Sequence, residues 1–265
     1  YLDGVGVDKD DVKAKKYFEL SAKNNCIEAL VKLGNIYYKG KGTAKDLSLA
    51  IFYYQKAADF NNLKAQYKLG MIYLNKKNDK KTYEKAKIDF EKASKSNYSK
   101  AYLMLGDLYK DGLGVNKNYF KALMMYNKAF EINRNRNAIF NIGYFYEKGF
   151  GVYQDYSKAV YYYELAAQYL NQHAILKLEN LYPLRKGIDI DTNKIFNYLN
   201  ILIEMDKNQR LSNEIRMDGT FYIAKNNLGL IHLTIMQNND LACQYIKEAA
   251  LNRYPFGQNN YGLLC

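Results

Sequence analysis

Along most of the chain, small, leucine and aromatic residues return every four positions, and the block they form returns every 36 or 37. Leu33-Gly34, Leu69-Gly70 and Leu105-Gly106 stand 36 residues apart, followed by Ile142-Gly143 after 37 and Leu178-Glu179 after 36. A small residue precedes each pair by four positions: Ala29, Ala65, Ala101, Ala138 and Ala174. An aromatic follows the first letter by four: Tyr37, Tyr73, Tyr109, Tyr146 and Tyr182. Offsets of four keep side chains on one helical face, so the spacing predicts a short amphipathic helix A in each repeat. Weaker copies lie at Leu228-Gly229, with Ala224 and His232, and at Tyr261-Gly262, with Gly257.

A second column runs through Asp10, Asp46, Thr82, Asn118, Asp155 and Asp191. Each is a residue type whose side chain accepts from the free N–H groups of a first helical turn. Ala14, Ala50, Ala86, Ala122 and Ala159 come four later, and Tyr54, Phe90, Tyr126 and Tyr163 follow Ala50 to Ala159 at the same interval. Small and aromatic residues at period four behind a cap predict a second helix, B.

Between A and B stand paired glycines: Gly4 and Gly6, Gly40 and Gly42, Gly112 and Gly114, Gly149 and Gly151. A lone G-x-G can cradle a phosphate, but a dinucleotide loop follows a strand, whereas here a helix precedes each pair. These glycines therefore read as turn residues. Tyr1 lies 36 residues before Tyr37, so the sequence opens inside a repeat and is expected to be a segment of a longer protein.

The period breaks in three places. Residues 74–82, "LNKKNDKKT", carry no glycine, and Asn75 or Asn78 is expected to take the left-handed backbone position. Glu179 replaces the helix A glycine and should push a neighbouring helix away, while Pro183 should end its helix. Fourteen extra residues separate Leu178 from Leu228, within the polar stretch 204–220. We therefore expect a regular array over 1–182, an irregular unit with a polar insertion over 183–222, and degenerate repeats over 223–265.

Composition narrows the function. Hydrophobic residues make up 48%, enough for a core, and only Pro183 and Pro255 interrupt helix propensity. The net charge of +12 is one-sided: residues 1–150 hold 28 Lys and Arg against 16 Asp and Glu, and the remainder holds 11 of each. That excess suits an acidic partner or surface, or simply a solvated helical exterior. No apolar run approaches the roughly 20 residues of a membrane span. Cys26, Cys243 and Cys265 form neither a disulfide framework nor a metal pattern, which favours a reducing, cytoplasmic compartment.

Candidate chemistry is sparse. The sequence has only two histidines, His173 and His232, and His232 sits in an aromatic column, where packing explains it. No zinc, phosphate-loop or nucleophile-elbow motif occurs, so we expect no enzyme and no cofactor. Tyr161, Tyr162 and Tyr163 beside basic residues raise nucleic-acid stacking as an alternative, in which a lysine-rich N-terminal half binds a polyanion. The repeat period instead assigns Tyr163 to core.

The order A-x-x-x-L-G-x-x-Y, G-x-G turn, capped helix B resembles the Sel1-like repeat family, relatives of the tetratricopeptide repeats. The stretches from Leu105 to Phe130 and from Ile142 to Ala167 carry the resemblance most fully. It implies an all-α, right-handed superhelical solenoid of antiparallel helix pairs that acts as a scaffold or adaptor for protein partners. Cysteine-rich members linked to β-lactam binding and hydrolysis carry a cysteine pair in most repeats. The matching columns here hold none, so that activity is not implied. In the tetratricopeptide superfamily helix A lines a concave groove, through positions two and five before and after the leucine. Carried over, the third repeat contributes Lys64, Tyr67 and Met71, and the fourth Lys100, Leu103, Asp107 and Lys110. The fifth contributes Asn137, Phe140, Tyr144 and Glu147, and the sixth His173, Leu176 and Asn180. Aromatic anchors among lysines and amides suit an extended peptide or a partner helix.

Overall fold

The computed structural model describes residues 10–76, 79–181, 196–200, 204, 220–234, 237–252 and 254–265. Those residues are helical or in turns, with no strand among them. The chain divides into two compact units, Tyr1–Ala138 and Ile139–Cys265.

In the first unit α1 (Asp11–Lys23), α3 (Leu47–Asp59), α5 (Lys80–Ser94) and α7 (Tyr119–Asn133) are the B helices. They alternate with the A helices α2 (Ile27–Lys39), α4 (Leu63–Asn75) and α6 (Ser99–Asp111). Each helix packs against its neighbour in sequence, from α1 on α2 to α6 on α7, in the antiparallel pairs of a solenoid. The division falls within α8 (Arg136–Lys148), and the second unit also holds α9 (Tyr156–Gln168), α10 (Gln172–Leu181), α11 (Thr220–Thr234), α12 (Asn239–Leu251) and α13 (Pro255–Leu264).

Helix starts follow the capping column. Asp10, Asp46, Asn118 and Asp155 accept from the N–H three residues on, at 2.8–2.9 Å. Thr82 does not cap. α5 begins earlier, with Asp79 accepting from Lys81 N–H at 3.0 Å, and the Thr82 hydroxyl donates to Asp79 O at 2.8 Å inside the first turn. Asn75 ends α4 and is not among the residues in left-handed conformation, and Asn78, the other candidate for that position, lies outside the described residues. Asp191, Tyr182, Pro183 and the side chain of Glu179 also lie outside them, as does most of 183–222.

The paired glycines are the A-to-B turn. Gly40, Gly112 and Gly149 have φ of 71°, 74° and 70°, a left-handed conformation that costs a side-chain-bearing residue about 1–2 kcal/mol. The Asp46, Asn118 and Asp155 N–H groups then donate back to Tyr37, Tyr109 and Tyr146 O, each at 2.9 Å. A second left-handed column joins B to the next A, at Asn25, Asn61, Asn97, Arg134 and Leu170. Asparagine adopts that conformation readily, whereas arginine and leucine do so at a cost of about 1–2 kcal/mol.

The core is the fit of helix A glycine against helix B ring. Tyr54, Phe90, Tyr126 and Tyr163 are wholly buried. A Cβ added to Gly34 would sit 2.5 Å from Tyr54 Cε1, and one on Gly70 equally close to Phe90 Cε1. Gly106 faces Tyr126 and Gly143 faces Tyr163 in the same way. Burying each ring stabilises the fold by about 2–3 kcal/mol. A second contact recurs one residue earlier: Tyr53 stacks on Tyr37 at 5.6 Å, and Tyr162 on Tyr146 at 5.7 Å. In the third repeat that position is Asp89, a buried carboxylate whose charge is felt by Tyr73. His232 packs as an aromatic, stacked on Tyr245 at 5.7 Å. Tyr161, by contrast, is exposed.

One cysteine expectation needs correction. Cys243 of α12 and Cys265 are joined in a disulfide, with Cα atoms 5.6 Å apart. Two cysteines 22 residues apart in an odd set of three gave no sign of it, because the intervening turn and helix α13 bring them together.

Candidate functional site

The helix A positions two and five residues either side of the leucine fall into three local groups. On α4, Lys64 is exposed while Tyr67 and Met71 are half-buried. Tyr67 packs its ring on Phe90 at 5.8 Å and edge-on to Tyr98 at 5.5 Å. Burial raises the Tyr67 phenol above its ordinary pKa, with the Tyr98 and Asp107 charges adding to it. With Tyr38, Tyr54, Lys68, Ile72 and Asn75, Tyr67 and Met71 line an open pocket of about 190 Å³.

On α6 the four positions split. Lys100 is exposed, and Leu103 is buried in the packing. Asp107 accepts a hydrogen bond from the Tyr126 hydroxyl at 2.8 Å and from Lys110 Nζ at 3.2 Å. The Tyr126 phenol is raised strongly, first by burial and then by the Asp107 charge.

The third group sits on α8 and α10. Asn137 and His173 are exposed, and Leu176 is half-buried. Asn180 lies on α10 with its side chain outside the described residues. Phe140 contacts Tyr163 at 5.5 Å and His173 at 5.8 Å. Lys177 Nζ lies 5.3 Å from the Tyr144 ring centroid. Glu147 is buried and accepts from the Tyr163 hydroxyl at 2.6 Å, from Lys177 at 3.0 Å and from Lys148 at 2.8 Å. Burial alone would raise the Glu147 carboxyl, but hydrogen bonds from Lys148, Tyr163 and Lys177 prevail and hold it below the usual carboxylate range.

Sequence reasoning named Asp107 and Glu147 as groove positions but missed their role as acceptors for the core tyrosines, and it did not name Asn35. Tyr54 donates to Asn35 at 2.8 Å, as Tyr126 does to Asp107 and Tyr163 to Glu147. Where the column holds Phe90, with no hydroxyl, the residue two after the leucine is Met71. That exchange of a polar for an apolar residue was the available signal. Lys68, Tyr98 and Lys177 were also missed, because none stands at the positions carried over. No cluster of metal-ligating side chains occurs among the described residues. No helix there is long and apolar enough to cross a membrane.

Capped helix pairs, glycine-seated rings and a half-exposed helix A row define a helical-repeat protein. The chain belongs to the Sel1 repeat family, whose pattern matches at residues 1–26, 27–59, 63–98, 99–132 and 136–168. A Sel1 repeat protein from Oxalobacter formigenes is 29% identical, with a TM-score of 0.66 over 91% of this chain and 96% of that one. The protective antigen c5321 of uropathogenic Escherichia coli, which displays an SLR fold, matches at 23% identity and a TM-score of 0.70. The match takes in 99% of this chain but spans about half of c5321, 54% of its length. No curated protein matches the sequence. Sel1-repeat proteins generally mediate protein–protein interaction, and the family is typically a non-enzymatic scaffold.

Proposed function

We propose that this chain is a non-enzymatic interaction module whose helix A face holds an extended peptide or a helix of a protein partner. The observation that carries this reading is a half-buried aromatic on the A helices of each unit, Tyr67 in the first and Phe140 with Tyr144 in the second, beside lysines or amides. Rings seated on the core keep their orientation, so binding them costs little side-chain entropy, and their polar surroundings fit a rim. Family membership supports a protein partner. The excess of basic residues in 1–150 supports an acidic one.

The test is affinity capture from the native source with the wild-type chain and with a Tyr67→Ala, Phe140→Ala, Tyr144→Ala variant of matched helical content. A defined partner should be recovered by wild type and reduced at least about tenfold for the variant, the scale expected for lost aromatic anchors. Equal recovery by both would reject the helix A face.

A further inference from the structure

Lys68 is a lysine in an aromatic pocket without an acid. It lies on α4, half-buried, and lines the pocket with Tyr38, Tyr54, Tyr67 and Met71. It has no ion pair or hydrogen bond to a carboxylate among the described residues. Burial, then the positive charges of Lys39 and Lys100, holds its amine below the ordinary lysine value. An ammonium half-removed from water beside like charges is stabilised by an incoming anion.

The chain contains a filled version of the same arrangement. Lys177 stands one residue before Leu178, as Lys68 stands one before Leu69. Tyr163 follows Ile142 by 21 residues, as Tyr54 follows Leu33. In that later copy the carboxylate of Glu147 takes the Tyr163 hydroxyl and the Lys177 ammonium together, at 2.6 and 3.0 Å. Glu147 lies five residues after Ile142, and the residue five after Leu33 is Tyr38. The earlier copy therefore keeps the lysine and the core tyrosine, replaces the acid by a ring, and leaves an open pocket.

We infer that the pocket lined from α2, α3 and α4 seats a peptide carboxylate on Lys68, with a neighbouring aliphatic or aromatic side chain between Tyr38, Tyr67 and Met71. This rests on the helix A reading above and names the chemistry it recognises. The carboxylate takes the lysine half of the role that Glu147 fills internally in the later copy, the Tyr54 hydroxyl being held by Asn35. It comes either from an aspartate or glutamate side chain or from a chain end.

Short acetylated peptides test this. One pair carries adjacent Leu-Glu or Leu-Gln within an amidated pentapeptide, and a second pair ends in leucine as free acid or amide. Binding is followed on the full chain by NMR of isotope-methylated lysines, with the Lys68 signal assigned by its loss in Lys68→Met. At least one carboxylate peptide should move the Lys68 signal and bind about tenfold tighter than its neutral match, the scale of one charge-assisted hydrogen bond. Which pair discriminates tells a side-chain carboxylate from a chain end. Lys68→Met should abolish the preference, while loss of exposed Lys56 by Lys56→Met should leave it. Tyr38→Glu, which rebuilds the internal acid, should close the pocket to both carboxylates. Absence of binding, equal binding of acid and neutral peptides, or a preference surviving Lys68→Met would overturn the inference. Partner capture that depends on Phe140 and Tyr144 but ignores Lys68 would leave the helix A reading standing and remove this seat. Lys68-dependent peptide binding without such capture would do the reverse.

Discussion

Replacing Gly34 with alanine sets two opposed effects against each other. Alanine in a helix interior is favoured over glycine by about 0.8–1 kcal/mol, so propensity alone predicts a more stable protein. The new Cβ, however, would lie 2.5 Å from Tyr54 Cε1, 2.6 Å from Cδ1 and 2.9 Å from Cζ. Tyr54 has no room to swing aside, being wholly buried with its hydroxyl held by Asn35 at 2.8 Å. Overpacking costs about 1–3 kcal/mol, and three contacts under 3.0 Å with a ring that cannot move put this site at about 2–3, so after the helix gain we expect a net loss of about 1–2 kcal/mol. Gly262 is the matched control: no atom lies within 4 Å of its added Cβ, and Gly262→Ala should stabilise by about 0.5–1 kcal/mol. Urea unfolding followed by circular dichroism, with unchanged m-values, measures both. Adding Tyr54→Leu should remove most of the Gly34→Ala penalty, giving a coupling of about 1–3 kcal/mol. A stabilised Gly34→Ala variant, or a penalty that persists without the Tyr54 ring, would refute the seating of ring on glycine.

Other consequences follow from the same packing. Burial raises the Asp89 carboxyl to about 6, above its unfolded value of 3.8, so its contribution is fullest below pH 3.8 and lost as pH rises through 6. Asp89→Asn should therefore gain on wild type across that window and be more stable at neutral pH by about 1–2 kcal/mol, which denaturation at several pH values checks. Leu170 holds φ of 58° where three other repeats use asparagine, and Leu170→Asn should raise stability by about 0.5–1 kcal/mol in thermal melts. Reducing the Cys243–Cys265 bridge frees a loop of 22 residues. Its loss should cost about 3 kcal/mol and speed hydrogen exchange in α13 but not in α3.

What was legible in the sequence is what recurs. Period-four columns identified both helices, the glycine turn and four of the caps, since each follows from local chemistry at fixed spacing. The third repeat escaped because Asp79, three residues ahead of the column, offered an equally good cap. The disulfide escaped because it depends on α13 returning past α12. At the candidate site Tyr67, Phe140 and Tyr144 are half-buried on their A helices. Glu147 and Leu103, though carried over by the same frame, are buried. Glu147 is drawn in by Tyr163 and Lys177, 16 and 30 residues away, and although Tyr163 stands in the helix B column, Lys177 stands in none. Lys68 became visible only once the filled copy at Lys177 could be laid against it.

Site-specific photo-crosslinking tests the central claim most directly. A photoreactive residue is placed in turn at the exposed helix A positions Lys64, Lys100 and His173, and at the exposed helix B positions Phe52, Ile88 and Phe120. The helix A face as partner surface predicts one common crosslinked protein from Lys64, Lys100 and His173 and little from the B positions. The same protein captured equally from Phe52, Ile88 and Phe120, or from those alone, would contradict it.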